Sequence, residues 1–263
     1  SATTFEGLTI TGGYSDSHGG GMYVYYSHPT LIDCVFDGSH ANGRGGGLYC
    51  LDADLTLTSC SFTNNTANDH GGGAYFHDNT VILTEVVFDN NTAQYQGGGM
   101  YHIYGNIDLT GCVFTNNAST NSDGGGIYNN DGNISLTDCV FDNNTAQYAG
   151  GGMRHEQVYS GDLCTITTCF FGNNTCGTDG GGVYTSGNTT LFETVLCGNT
   201  SDHIFGPWTD SGGNCQAFTC QDDDDDGWPN ECSTVGDGVH EVPSEYETIQ
   251  EAIIASGPND EIL

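Results

Sequence analysis

Gly45-Gly-Gly-Leu-Tyr49 is one of seven near-identical stretches in this chain. The same triplet begins at Gly19, Gly71, Gly97, Gly124, Gly150 and Gly180, so the starts are spaced by 26, 26, 26, 27, 26 and 30 residues. A fixed period of this size is the signature of a repeat architecture. Behind the triplets run an apolar column (Met22, Leu48, Ala74, Met100, Ile127, Met153, Val183) and a mostly tyrosine column (Tyr23, Tyr49, Tyr75, Tyr101, Tyr128, Arg154, Tyr184). Successive side chains on a strand face opposite ways, so one column is expected in the core and the other on the surface.

A second landmark keeps the same phase. The segments Leu31–Phe36, Leu57–Phe62, Leu83–Phe88, Leu109–Phe114, Leu136–Phe141 and Ile166–Phe171 align without a gap. Their phenylalanines share a face with the Cys or Val two residues earlier, which predicts an inward stack. Three residues on stand Asn65, Asn91, Asn117, Asn144 and Asn174, where side-chain amides can hydrogen-bond from coil to coil and tolerate tight-turn backbone angles. The first coil has Ser39 instead.

Such units, rich in Gly, Thr, Val, Ile and Tyr and lacking a 3.6-residue apolar period, argue against helices. A propeller blade needs a longer repeat. What remains is an all-β, right-handed parallel β-helix of about seven 26-residue coils, each about 4.8 Å above the last. The expected boundaries are a repeat domain over 1–205, a Cys-rich acidic segment over 206–239 and a cap-like helix and strand over 240–263.

The paired motifs, Gly46-Gly-Leu-Tyr49 with its six counterparts and Phe62-x-x-Asn65 through Phe171-x-x-Asn174, resemble the polymorphic outer membrane protein type of repeat of chlamydial autotransporters and secreted bacterial β-helix proteins. The resemblance covers about residues 5 to 200. It implies a surface adhesin or cell-envelope structure, while the motifs themselves are scaffold positions and carry no activity.

Composition points to an extracellular or cell-surface setting. The chain has 34 acidic residues, two arginines (Arg44 and Arg154), no lysine and a formal net charge of -32. Nucleic acid and anionic membranes are excluded as partners by repulsion, divalent cations are attracted, and plain solubility in salty surroundings is the alternative. No stretch is apolar enough to span a membrane. Ser1 opens the sequence without an initiator Met or a signal peptide, which reads as a mature product or a fragment. Twelve cysteines suit an oxidising compartment. Cys34 with Cys60, and Cys112 with Cys139, occupy one column on successive coils at a spacing that permits disulfides; filling the core as thiols is the other reading. Cys220 and Cys232 are further disulfide candidates, of unreadable connectivity.

Near the end, Asp222, Asp224 and Asp226 alternate before Gly227, with Asn230 close behind. Alternate carboxylates followed by Gly can converge on Ca²⁺ as a structural cofactor, and the run resembles the calcium loops of thrombospondin type 3 and dockerin-like repeats. Ser233 stands where an EF-hand needs Glu, and a solvated acidic linker is the competing reading.

The last segment resembles the opening of many right-handed β-helix domains, with Ile249 and Ile253 on the apolar face of a short capping helix and Ile262 and Leu263 in a strand. Ser1 to Gly13, by contrast, reads as the middle of a coil. A tail that carries the cap its own head lacks suggests a head-to-tail homopolymer, with the tail covering Phe5, Leu8 and Ile10 of the next subunit. The alternative is the start of a second domain.

Catalysis has weak support. A β-helix lyase needs several cations, and the acids before the triplets (Asp16, Asp69, Asp123, Asp179) suit turns as well as hydrolysis. His102, Asn129 and His155 share one column and are assigned to packing. The tyrosine column offers a strip on which host-surface or matrix carbohydrate could stack, or simply a ladder that stabilises the sheet. Eight Asn-x-Ser/Thr sequons, at Asn64, Asn90, Asn117, Asn133, Asn143, Asn173, Asn188 and Asn199, arise mostly from the turn motif itself.

Overall fold

In each of the first three coils four residues take left-handed backbone angles, and these corners shape the molecule. In one coil they are Ser59 (φ 49°), Asn64 (φ 57°), Gly71 (φ 67°) and Asp78 (φ 53°). Between them run the strands Ser61–Thr63, Thr66–Ala67 and Ala74–Thr84, the last bent at Asp78. Small polar residues and Gly tolerate this region best, and they dominate these columns. The left-handed angle falls on the residue before each ladder asparagine (Asn64, Asn90, Asn116, Asn143, Asn173), so the turn and the ladder use different asparagines.

The computed structural model describes residues 3–157, 161–217 and 219–220. They form an all-β parallel solenoid of about seven turns, with no helix among the described residues. Three parallel sheets result, of fifteen, nine and seven strands. The nine-stranded sheet runs from Thr9–Thr11 to Cys215–Ala217, so coil pairing continues beyond the boundary expected at residue 205.

Strict register makes every column a ladder. Phe62 lies opposite Phe36 and Phe88. The rings of Phe36, Phe62, Phe88, Phe114, Phe141 and Phe171 stack at centroid distances of 4.6, 4.8, 4.7, 4.9 and 4.5 Å, all fully buried. Offset stacking adds to the burial of each ring. Beside them the asparagine ladder satisfies the backbone at the turn: Asn91 Nδ2 donates to Phe62 O at 2.8 Å and to Asn117 Oδ1 at 3.0 Å, and that same Oδ1 accepts the Asn91 N–H at 3.0 Å.

The triplet Gly45-Gly46-Gly47 shows why three glycines are needed. Gly45 has φ 66°. A Cβ on Gly46 would lie 2.3 Å from Gly72 O, and one on Gly47 would lie 2.7 Å from Gly73 O and 3.0 Å from the Phe62 ring. One glycine makes the corner and the other two let neighbouring coils and the phenylalanine stack close up.

The cysteine columns stack without cross-linking. Cys34, Cys60, Cys112 and Cys139 are free thiols, so the bonds expected along these columns are not formed. In-register side chains point the same way, whereas a disulfide needs two sulfurs turned toward each other. Cys60 Sγ instead donates to Thr58 O at 3.3 Å and accepts the Cys34 N–H at 3.4 Å. Burial pushes the Cys60 thiol up to about 11, so it stays protonated.

Candidate functional site

The first coil is the least covered part of the solenoid. Thr4–Glu6, Thr9–Thr11 and Tyr14–Ser15 stand at the ends of the three sheets, paired only with Thr30–Ile32, Val35–Asp37 and His40–Ala41. Their other edges carry no strand among the described residues. Phe5 is 40% exposed, and Leu8, Ile10 and Met22 are only partly buried against the core. The structure thus brings the expected Phe5, Leu8 and Ile10 together at one open end. Their expected partners Ile249, Ile253, Ile262 and Leu263 lie outside the described residues, as do Asp222, Asp224, Asp226, Asn230 and Cys232. Cys220 is bonded to Cys197, which ties residue 220 to the last regular coil.

The tyrosine column is not the open strip that strand alternation suggests. Tyr49, Tyr75, Tyr101 and Tyr128 stack at 5.1, 5.0 and 5.3 Å and are buried, forming a second apolar cluster outside the main core. Side chains from the turns before the triplets cover them: His18 stacks on Tyr49 at 4.7 Å and His70 on Tyr101 at 4.9 Å. The two arginines complete this cover. Arg44 sits 5.2 Å from the Tyr75 ring and donates to Asp69, while Arg154 sits 5.7 Å from the Tyr128 ring and 4.5 Å from that of Tyr184, paired with Asp123 and Glu156. A cation on an aromatic face is favourable, more so when partly desolvated. The column emerges only at its first member, where Tyr23, Tyr25 and Tyr26 are 50%, 49% and 66% exposed and Tyr25 lies 4.1 Å from Tyr26.

Many acids bind the next coil. Asp37 accepts from Thr63 and Asn64, each at 2.8 Å, and Asp89 accepts from Thr115 and Asn116 at 2.7 and 2.9 Å. Asp142 is buried between the amides of Asn143 and Asn173, and burial raises its carboxyl above the ordinary value while those amides oppose the rise. Asn117 and Asn199 are buried in the ladder, so neither sequon is accessible in the folded chain.

Inside the solenoid, Phe76 is followed in register by His102, Asn129, His155 and Thr185. Asn129 Oδ1 lies 2.5 Å from His102 Nδ1, and Asn129 Nδ2 lies 3.0 Å from both His155 Nδ1 and Gly132 O. The amide fixes the tautomers: His102 carries its proton on Nδ1 and His155 on Nε2. Both Nε2 atoms are buried without a hydrogen bond, and burial pushes both imidazoles down to about 4. This is a packed polar column, sealed from any substrate.

Residues 1–154 match the family model for the right-handed β-helix region. The chain belongs to that family. The hand of the solenoid follows from it. Searches of curated proteins and of solved structures return no match. The β-helix family assignment describes a scaffold, and scaffolds of this kind host unrelated functions.

Proposed function

We propose that this β-helix is a non-enzymatic, extracellular structural protein that joins end to end through its first coil. The observation that carries this reading is the open end over Phe5, Leu8 and Ile10, where all three sheets present edges that no strand among the described residues pairs. Free edges of flat, regular sheets pair with whatever strand is offered, and a second copy of the chain offers coils of matching width and register. A heterologous contact of this kind does not close, so its product is a filament. The motif resemblance to polymorphic outer membrane protein repeats supports an adhesive, surface-exposed setting. Ca²⁺ at Asp222, Asp224, Asp226 and Asn230 would reduce the mutual repulsion of chains that each carry a net charge of -32.

Negative-stain microscopy and sedimentation of the native chain, with and without calcium and salt, test this. End-to-end rods that lengthen as repulsion is screened are expected, and Ile10→Asp should hold the chain as single rods with unchanged circular dichroism. A wild-type chain that stays monomeric at high concentration in calcium would overturn it; the first coil would then be covered by another part of its own polypeptide.

A second reading rests on Tyr23, Tyr25 and Tyr26, which form an exposed aromatic platform at the same end. Sugar rings stack on such surfaces. Binding to neutral oligosaccharides that is lost in Tyr25→Ala and kept in Ile10→Asp would favour matrix contact over assembly.

A further inference from the structure

We propose that Asp52, His77 and Asp78 form a binding site for a divalent transition-metal ion, with zinc as the reference. One ligand atom from each residue lies within 4.8 Å of the other two. The arrangement follows from the solenoid itself. Asp52 and Asp78 occupy the same left-handed corner on successive coils, with φ 51° and 53°, and the Asp52 N–H donates to His77 O at 3.0 Å. Stacking therefore brings two carboxylates to one spot beside the imidazole.

The imidazole is held ready. His77 lies against Tyr75, with centroids 6.5 Å apart and planes at 15°, and Tyr104 meets it edge-on at 5.8 Å. Its Nδ1 is shielded from water and makes no hydrogen bond, although Asp78 Oδ2 is only 3.3 Å away. An imidazole nitrogen that faces carboxylates and makes no hydrogen bond is the geometry a cation completes. No arginine neutralises this pair of acids, because Arg44 is engaged by Asp69 and Arg154 by Asp123 and Glu156.

The donor set selects the ion. Calcium takes six to eight oxygens, whereas one imidazole with two carboxylates suits zinc and its first-row neighbours. Ligands about 2.1 Å from zinc sit about 3.4 Å apart around a tetrahedron, so the 3.3 Å pair is already at that spacing, and Asp52, within 4.8 Å, has at most about 1.4 Å to close. Three protein ligands leave the fourth position facing solvent, open to water or to an oxygen ligand.

Titration calorimetry of the full chain with zinc chloride, in a large excess of calcium that saturates diffuse and acidic-tail binding, tests the site. The expected result is one zinc per chain, with affinity falling at least tenfold in His77→Ala and in Asp78→Asn. Asn is at home in the same left-handed corner, so that variant keeps the fold. Cobalt substitution gives a second readout, with visible absorption bands that His77→Ala abolishes. Superimposable isotherms for wild type and both variants would overturn the site. So would a loss confined to Asp78→Asn, since the imidazole would then take no part.

Discussion

Acidification from pH 7.5 to 5.0 should destabilise the solenoid through its buried histidines. In the unfolded chain an imidazole titrates near 6.5, while in the fold His102 and His155 are pushed down to about 4. The unfolded state therefore binds more protons between those values, and stability falls as pH drops through that window and levels off below it. The structure gives the reason. A proton added to His102 must sit on a buried Nε2 that has no acceptor, and one added to His155 must sit on the Nδ1 that accepts from Asn129. At pH 5 the difference is about 2 kcal/mol per histidine, or about 4 kcal/mol for both. Urea unfolding followed by circular dichroism at the two pH values measures it, above the range in which most carboxylates titrate. His155→Leu should cut the pH-dependent loss to about half. An equal loss in wild type and variant would show that His155 does not contribute to it, and the argument from burial would fail at that residue.

Three further outcomes follow from the ladders and the acidic run. Phe114→Ala leaves a cavity in a continuous ring stack and should cost roughly 3 to 5 kcal/mol in the same urea assay; a neutral effect would contradict the stacking described. Asn117→Ala strands Phe88 O and the Asn91 amide inside the turn and should cost about 2 to 4 kcal/mol. Calorimetry with calcium should show a specific isotherm that Asp224→Ala removes; identical isotherms would leave only diffuse counterion attraction.

The fold was legible because its constraints repeat in phase. Phe62, Asn65 and Gly45 to Gly47 each meet the same atoms one coil away, so a steric need at one level recurs as a letter at every level. The tyrosines misled for a local reason. Alternation correctly placed Tyr75 outside the coil, but nothing in its own repeat announces that Arg44 and His70, from turns upstream, fold over the column. The cysteines misled for a geometric one: a coil rise allows the Cα separation of a disulfide, while in-register stacking turns the sulfurs parallel. The Asp52, His77 and Asp78 cluster went unread because it joins corners of two coils to a side chain of the strand Ala74–Thr84. The 26-residue interval between the two aspartates beside a histidine is the signal that could have found it.

The placing of the two arginines has a consequence for handling the molecule. A protease that cuts after basic residues finds only the bonds following Arg44 and Arg154. The first leads into Gly45, whose N–H is bonded to His70 O at 2.9 Å, and the second lies within Met153–Glu156, a strand paired on both sides. Neither bond can enter an extended-chain cleft without local opening of the solenoid. The folded chain should therefore outlast trypsin, and once unfolded it should yield three long pieces, 1–44, 45–154 and 155–263. With no lysine in residues 1–263, amine-directed labels and cross-linkers find no side chain there to attack, so mass mapping of this stretch calls for cleavage at its acids and labelling at its thiols.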